Sequence, residues 1–288
     1  MSHRRLIFLA LHRRALLCGA LALAGLPAAV SGQLPGTPAG PTVAIDGNKA
    51  SVTLAAGGVS LDLTLTFEQV VGLNGANLGI SARVANPSEL VGRLPDGALT
   101  SLPAGFPLLV TVEPPSSGGL SFSGVAAVDV HTHDLSFTAD SPLRLFKAPV
   151  GGAFADVTES MGMGSYRARG SSGGFSQFLI VADLRSESDV VEQKLDTLDA
   201  AFAKGAGVMP PSVRSVLQSS LSAIRTAWDG GDVRGAISAA ETFAAAVKTA
   251  ADGGSVPNVW RSARDLDNVA GNLRAAAGTL RFSLSLAE

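Results

Sequence analysis

Beyond its first 32 residues the chain has no cysteine, since the only one among 288 residues is Cys18. A disulfide framework and a thiolate metal site are thereby excluded from the rest of the chain. Histidine is almost as scarce, with only His131 and His133 past that point, and the rings able to grip a glycan are one tyrosine, Tyr166, and two tryptophans, Trp228 and Trp260. Basic charge is also short. The 22 Lys/Arg and 24 Asp/Glu of the whole chain become 18 and 24 once the four arginines of residues 1–32 are set aside, a net charge of −6. No Lys/Arg run is left, which argues against nucleic acid and anionic lipid as partners. His-Glu-x-x-His, Walker and Gly-x-Gly-x-x-Gly motifs are missing too, so zincin and nucleotide chemistry have no sequence support.

What is present begins with an export signal. Arg4, Arg5, Arg13 and Arg14 precede an uncharged stretch from Ala15 to Leu26, and the small residues Ala28-Ala29-Val30-Ser31-Gly32 lead into Gln33. This is the order of a basic region, an apolar region and a cleavage site. An apolar stretch of about twelve residues is too short to cross a bilayer, which takes about twenty in a helix. Leu16-Leu17 stand before Cys18 where a lipidation signal has small residues, so residues 1–32 read as a signal peptide that releases the chain. The expected location is periplasmic or extracellular, with no membrane span.

Residues 33–41 form a proline and glycine linker that cannot pair as a strand. From residue 42 to 184 the apolar period is two. Val59, Leu61, Leu63, Leu65 and Phe67 alternate with Ser60, Asp62, Thr64, Thr66 and Glu68, the pattern of a half-buried strand. Shorter alternating pieces follow, separated by turns such as Asn86-Pro87, Pro95-Asp96-Gly97 and Ser171-Ser172-Gly173-Gly174. Short strands between such turns predict an antiparallel β-sandwich. The run Phe178-Leu179-Ile180-Val181 is continuously apolar, as expected of a strand buried on both faces.

From residue 187 to 284 the period becomes about 3.6, and four helices are expected in an antiparallel bundle. Val191, Leu195, Leu198 and Phe202 mark the first, and Pro210-Pro211 opens a second carrying Val213, Val216, Leu217, Leu221, Ile224 and Trp228. Asp232 reads as the N-cap of the third. The fourth is expected to start at Ser255 and Pro257 and to carry Val259, Ala263, Leu266, Ala270 and Leu273. Both tryptophans then fall in the helical half, as plugs at its ends.

The one cluster able to do chemistry is Asp129-Val130-His131-Thr132-His133-Asp134. On a strand, Asp129, His131 and His133 share a face, one carboxylate and two imidazoles, a set suited to zinc or another divalent ion. The plainer reading makes them the solvent face of a strand whose inward residues are Val128 and Val130. No cofactor is expected, and no catalytic residue is assigned.

The pattern Gly231-Asp232, Ala236-Ile237, Phe243 and Val247 resembles the FIMAH-type helical module of secreted bacterial proteins, with Ala240 where that module usually has leucine. The resemblance covers roughly residues 187 to 282 and implies an accessory or interaction role, with no catalytic residue to carry over. The whole chain resembles an uncharacterised family of secreted Gram-negative proteins. The expectation from the sequence is a non-enzymatic exported module for binding, adhesion or envelope assembly, with a protein or surface polymer as partner. The alternatives are a metal-dependent hydrolase using His131, His133 and Asp129, and a structural subunit that self-associates through strand edges.

Overall fold

The computed structural model describes residues 41–288, apart from Val91 and Ala139; the expected signal peptide, and the expected linker except Pro41, lie outside the described residues. Along the chain run β1 (Val43–Asp46), β2 (Lys49–Ala56), β3 (Val59–Val71), the short helix α1 (Gly75–Leu78), β4 (Ile80–Val84), α2 (Pro87–Leu90), β5 (Thr100–Ser101), β6 (Leu108–Val112) and β7 (Ser121–Phe137). Next come β8 (Leu143–Ala148), β9 (Ala155–Asp156), β10 (Thr158–Gly162), β11 (Gly164–Ser172) and β12 (Gln177–Asp183). The long helices α3 (Glu187–Gly205), α4 (Pro211–Asp229) and α5 (Val233–Asp252) follow, then the strand β13 (Val259–Arg261) and the last helix, α6 (Val269–Leu286).

Two antiparallel sheets result. The first is ordered β1-β2-β3-β7-β11-β10 with β13 beside β7, and the second β4-β6-β12-β8-β9 with β5 beside β12. The alternation in β3 sets their packing: Leu61, Leu63, Leu65 and Phe67 are buried while Ser60, Asp62 and Glu68 face water. They meet Val128 and Val130 of β7 and, from the second sheet, Val110, Leu145, Phe178 and Ile180 in one core. Each such side chain contributes about 1.5–3 kcal/mol by leaving water. Leu179 and Val181, of opposite parity on β12, pack on the other face of the second sheet against Ala85, Leu90 and Phe154. Both faces of β12 are therefore covered, as its unbroken apolar run requires.

The helices start where their caps lie. Ser186 accepts a hydrogen bond from the Asp189 amide, Asp232 from Gly235 and Asn268 from Gly271, and proline stands in the first turn of α4. The stripe on α4 is narrower than the periodicity suggests, because Val216 is 57% exposed. Helix α6 is the central element. It packs against α3 and α5 on one side and against β7, β10 and β11 on the other. Its close approach depends on Gly271, where a Cβ would stand 2.5 Å from the carbonyl oxygen of Gly124.

One helix differs from its sequence pattern. Val259 does not begin the fourth helix; Val259–Arg261 is strand β13, and the helix starts at Val269. The reason is an unfilled sheet position. Strand β11 ends with Ser172 opposite Ala126, which leaves one side of Ser121–Ser123 open, and β13 pairs there. This moves Trp260 out of the helical bundle and into the sandwich. Its ring stacks on Phe122 at 5.4 Å between centroids and meets Phe175 edge-on at 5.2 Å. Trp228 does sit at a helix end, its indole N–H donating to Glu192 at 2.5 Å.

Candidate functional site

Two places gather polar chemistry, and the first is the exposed face of β7. Asp129, His131 and His133 share that face, and the His131 and His133 rings meet at 4.5 Å between centroids. Asp129 faces Arg169 instead, at 3.3 Å, and burial raises the pKa of its carboxyl against the opposing pull of that guanidinium. The carboxylate beside His131 is Asp62 from β3, 3.7 Å from Nδ1, while Nε2 meets the Ser165 hydroxyl at 2.8 Å. Ser165 reaches that position because β7 bulges, the register passing from Ser165 opposite Ser136 to Tyr166 opposite Thr132.

The order Asp62, His131, Ser165 is that of an acyl-transfer relay. Here the carboxylate stands beyond hydrogen-bond distance from the ring, and its side chain is 53% exposed. Its other oxygen accepts a bond from Thr53 at 2.6 Å, so the residues form a solvated cross-strand row. Among the described residues, no group of three or more His, Cys, Asp or Glu side chains stands together as a metal site.

The second place is the junction of the two layers. Lys194 of α3 reaches Asp156 of β9 at 2.7 Å, with both side chains at most 5% exposed. The ammonium also donates to the hydroxyls of Thr279 at 2.6 Å and Ser283 at 2.8 Å, both on α6. Asp156 accepts in turn from the Thr158 amide at 2.8 Å, and the Thr279 hydroxyl donates to the Thr158 carbonyl at 2.9 Å. Burial pulls the Lys194 pKa down and Asp156 opposes that pull. The pair is thus surrounded by hydrogen-bond partners, the condition under which a buried ion pair is tolerated.

Beside this network lies a half-enclosed cavity of about 210 Å³, walled by Lys147, Asp156 and Ser172 from the strands and by Lys194, Asn272 and Thr279 from the helices. Lys147 is paired with Phe178 across β8 and β12, and so shares the inward face with Leu145. Among the described residues its amine has neither an ion-pair nor a hydrogen-bond partner, and burial alone brings its pKa down to about 8.

Comparison with known proteins adds one fact. A model described as a family of unknown function, DUF6689, matches residues 20–287. The chain belongs to DUF6689. No curated protein matches it. Because the DUF6689 match runs through strands and helices alike, the cavity between them falls inside the matched region.

In this DUF6689 chain Lys147, Asp156 and Lys194 belong to no sequence motif. Parity carried the signal for Lys147: in Leu143-Arg144-Leu145-Phe146-Lys147 the lysine takes an inward position. Lys194 likewise interrupts the stripe Val191, Leu195, Leu198, three residues after Val191. Gly170-Ser171-Ser172-Gly173-Gly174 fits Gly-x-Ser-x-Gly by its letters. That motif works on a strand-to-helix turn, whereas here it joins β11 to β12 and the Ser172 hydroxyl donates to the Gly174 carbonyl.

Proposed function

We propose that this protein is an exported, non-enzymatic binding module that works in the periplasm or outside the cell. The cavity between sandwich and helices carries the reading. It is half enclosed, walled by both layers, and mixes apolar wall with charged and polar groups, which is the composition of a site that holds a ligand. The partner is a protein or surface polymer that offers one small group to the cavity, or a small molecule that fills it. Export follows from the basic, apolar and small-residue order of residues 1–32. Among the described residues no helix is long and apolar enough to cross a membrane. The resemblance of the helical part to accessory modules of secreted bacterial proteins points the same way.

Two measurements test it. Cell fractionation with N-terminal sequencing should find the chain processed near Gln33 and outside the cytoplasm; an unprocessed cytoplasmic chain would end the export reading. A small-molecule screen read by thermal shift should give ligands whose effect disappears in Ala276→Phe, which fills the cavity wall. Ligands that act equally on that variant would place binding elsewhere.

A further inference from the structure

The cavity has a chemical bias. Its charged lining is two lysines, Lys147 and Lys194, and one carboxylate, Asp156. Asp156 is matched by Lys194 at 2.7 Å and by the Thr158 amide, so its charge is already answered. Lys194 spends its remaining donors on Thr279 and Ser283. What remains is the Lys147 ammonium, an inward charge without a partner among the described residues. A charge held this way is unfavourable unless a counter-charge completes it.

The rest of the wall limits what that counter-charge is attached to. Ala201, Ala275 and Ala276 give an apolar side, and Ser172 and Asn272 offer polar atoms near it. A volume of about 210 Å³ lies below the range of about 300–1,000 Å³ that drug-sized ligands fill, so the occupant is small. We infer that this cavity binds a short carboxylate, with the carboxylate on Lys147 and a small apolar chain against the alanines. The inference rests on the proposed binding role and names the ligand class of that same site. The same chemistry is presented by a free short-chain acid and by the free carboxyl end of a protein chain.

Calorimetric titration of the full-length protein tests this with matched pairs: butyrate against butyramide, and N-acetyl-Ala-Ala against its C-terminal amide. The expected result is binding of at least one acid at least tenfold tighter than its amide, with that preference lost in Lys147→Met. Preference in the butyrate pair assigns the free acid as source, and preference confined to the dipeptide pair assigns a chain end. Amides that bind as well as acids, with both blocked by Ala276→Phe, would overturn the carboxylate inference while the binding reading stands. Inorganic phosphate binding in place of both acids would do the same. Lys147→Met with an undiminished preference would remove Lys147 from the site. No binding by any probe would overturn the inference, whereas the binding reading is decided separately by its broader screen. Lys147→Gln, checked for its fold by circular dichroism, gives a second variant if Lys147→Met does not fold.

Discussion

At the scale of the residue, Lys147 is the side chain whose setting and charge conflict most. Burial brings its pKa from 10.5 to about 8, so the folded state binds this proton less readily than the unfolded chain. The sign follows by linkage: the penalty is full below about pH 8 and is relieved as pH rises towards 10.5. The corresponding penalty is at most about 3 kcal/mol, because Lys147 keeps some contact with solvent. Lys147→Met should therefore be more stable than the parent at pH 7 in buffer free of carboxylates. The difference should shrink as pH is raised to 10, measured by urea unfolding at each pH. A variant less stable at pH 7 would mean that the amine has a partner in solution. For His131 and His133 the expectation is different. Their face offers two imidazoles, but Asp129 is turned to Arg169. Elemental analysis of protein purified without a metal-binding tag should find well under one divalent ion per chain, and His131→Ala/His133→Ala should leave stability within about 0.5 kcal/mol, as for most surface changes.

At the scale of the element, α6 and α3 are tied to the sandwich by chemistry that tolerates little change. Removing one partner of a buried ion pair leaves an uncompensated charge and costs about 3–5 kcal/mol. Asp156→Ala should lose about that much by denaturant unfolding. Joint replacement with apolar side chains, Asp156→Leu with Lys194→Met, should recover part of it, which would identify the charge rather than the contact as the cause. Gly271→Ala tests the close approach of α6 to β7. Alanine favours a helix interior over glycine by about 1 kcal/mol, yet its Cβ would press on the Gly124 carbonyl and the Asn268 side chain. Overpacking of this kind costs about 1–3 kcal/mol, so net destabilisation is expected. Gly124 itself has φ +77° at the bulge where β7 carries one more residue than β3, and a Cβ there would strike the Glu68 side chain. Glu68 is anchored by Arg274 of α6 at 2.6 Å, a contact that holds its carboxyl below the usual range and links the same three elements.

At the scale of the molecule, the described residues from Pro41 to Glu288 fall in one compact unit. The sandwich core and the helical core are distinct sets of side chains, but α6 packs on both. Calorimetry should accordingly show one unfolding transition in which sandwich and helices melt together. Two separate transitions would show that the junction contributes less than either core. Trp260, stacked on Phe122 in the sandwich, and Trp228, at the end of α4, are reporters of the two parts. Single-tryptophan variants should give coincident midpoints.

Read by period alone, the sequence determines much of this molecule. Strict alternation in β3 and the run in β12 fix which side chains are inside, because a pleated strand sends successive residues to opposite faces. The caps Ser186, Asp232 and proline at the start of α4 mark helix beginnings, because local hydrogen bonds and a fixed φ act on a few neighbours. Tertiary structure decided the rest. Val259, Ala263 and Leu266 continue a helical rhythm, yet Val259–Arg261 became a strand because β11 ends early and leaves a row of hydrogen bonds on β7 to be filled, a demand made by residues more than eighty positions away. The cavity is of the same origin. Lys147, Asp156, Lys194 and Thr279 lie on four separate elements, and no local rule of spacing relates them. Only the docking of α3 and α6 on the strands brings them together around one cavity, where the Lys147 ammonium has no partner among the described residues.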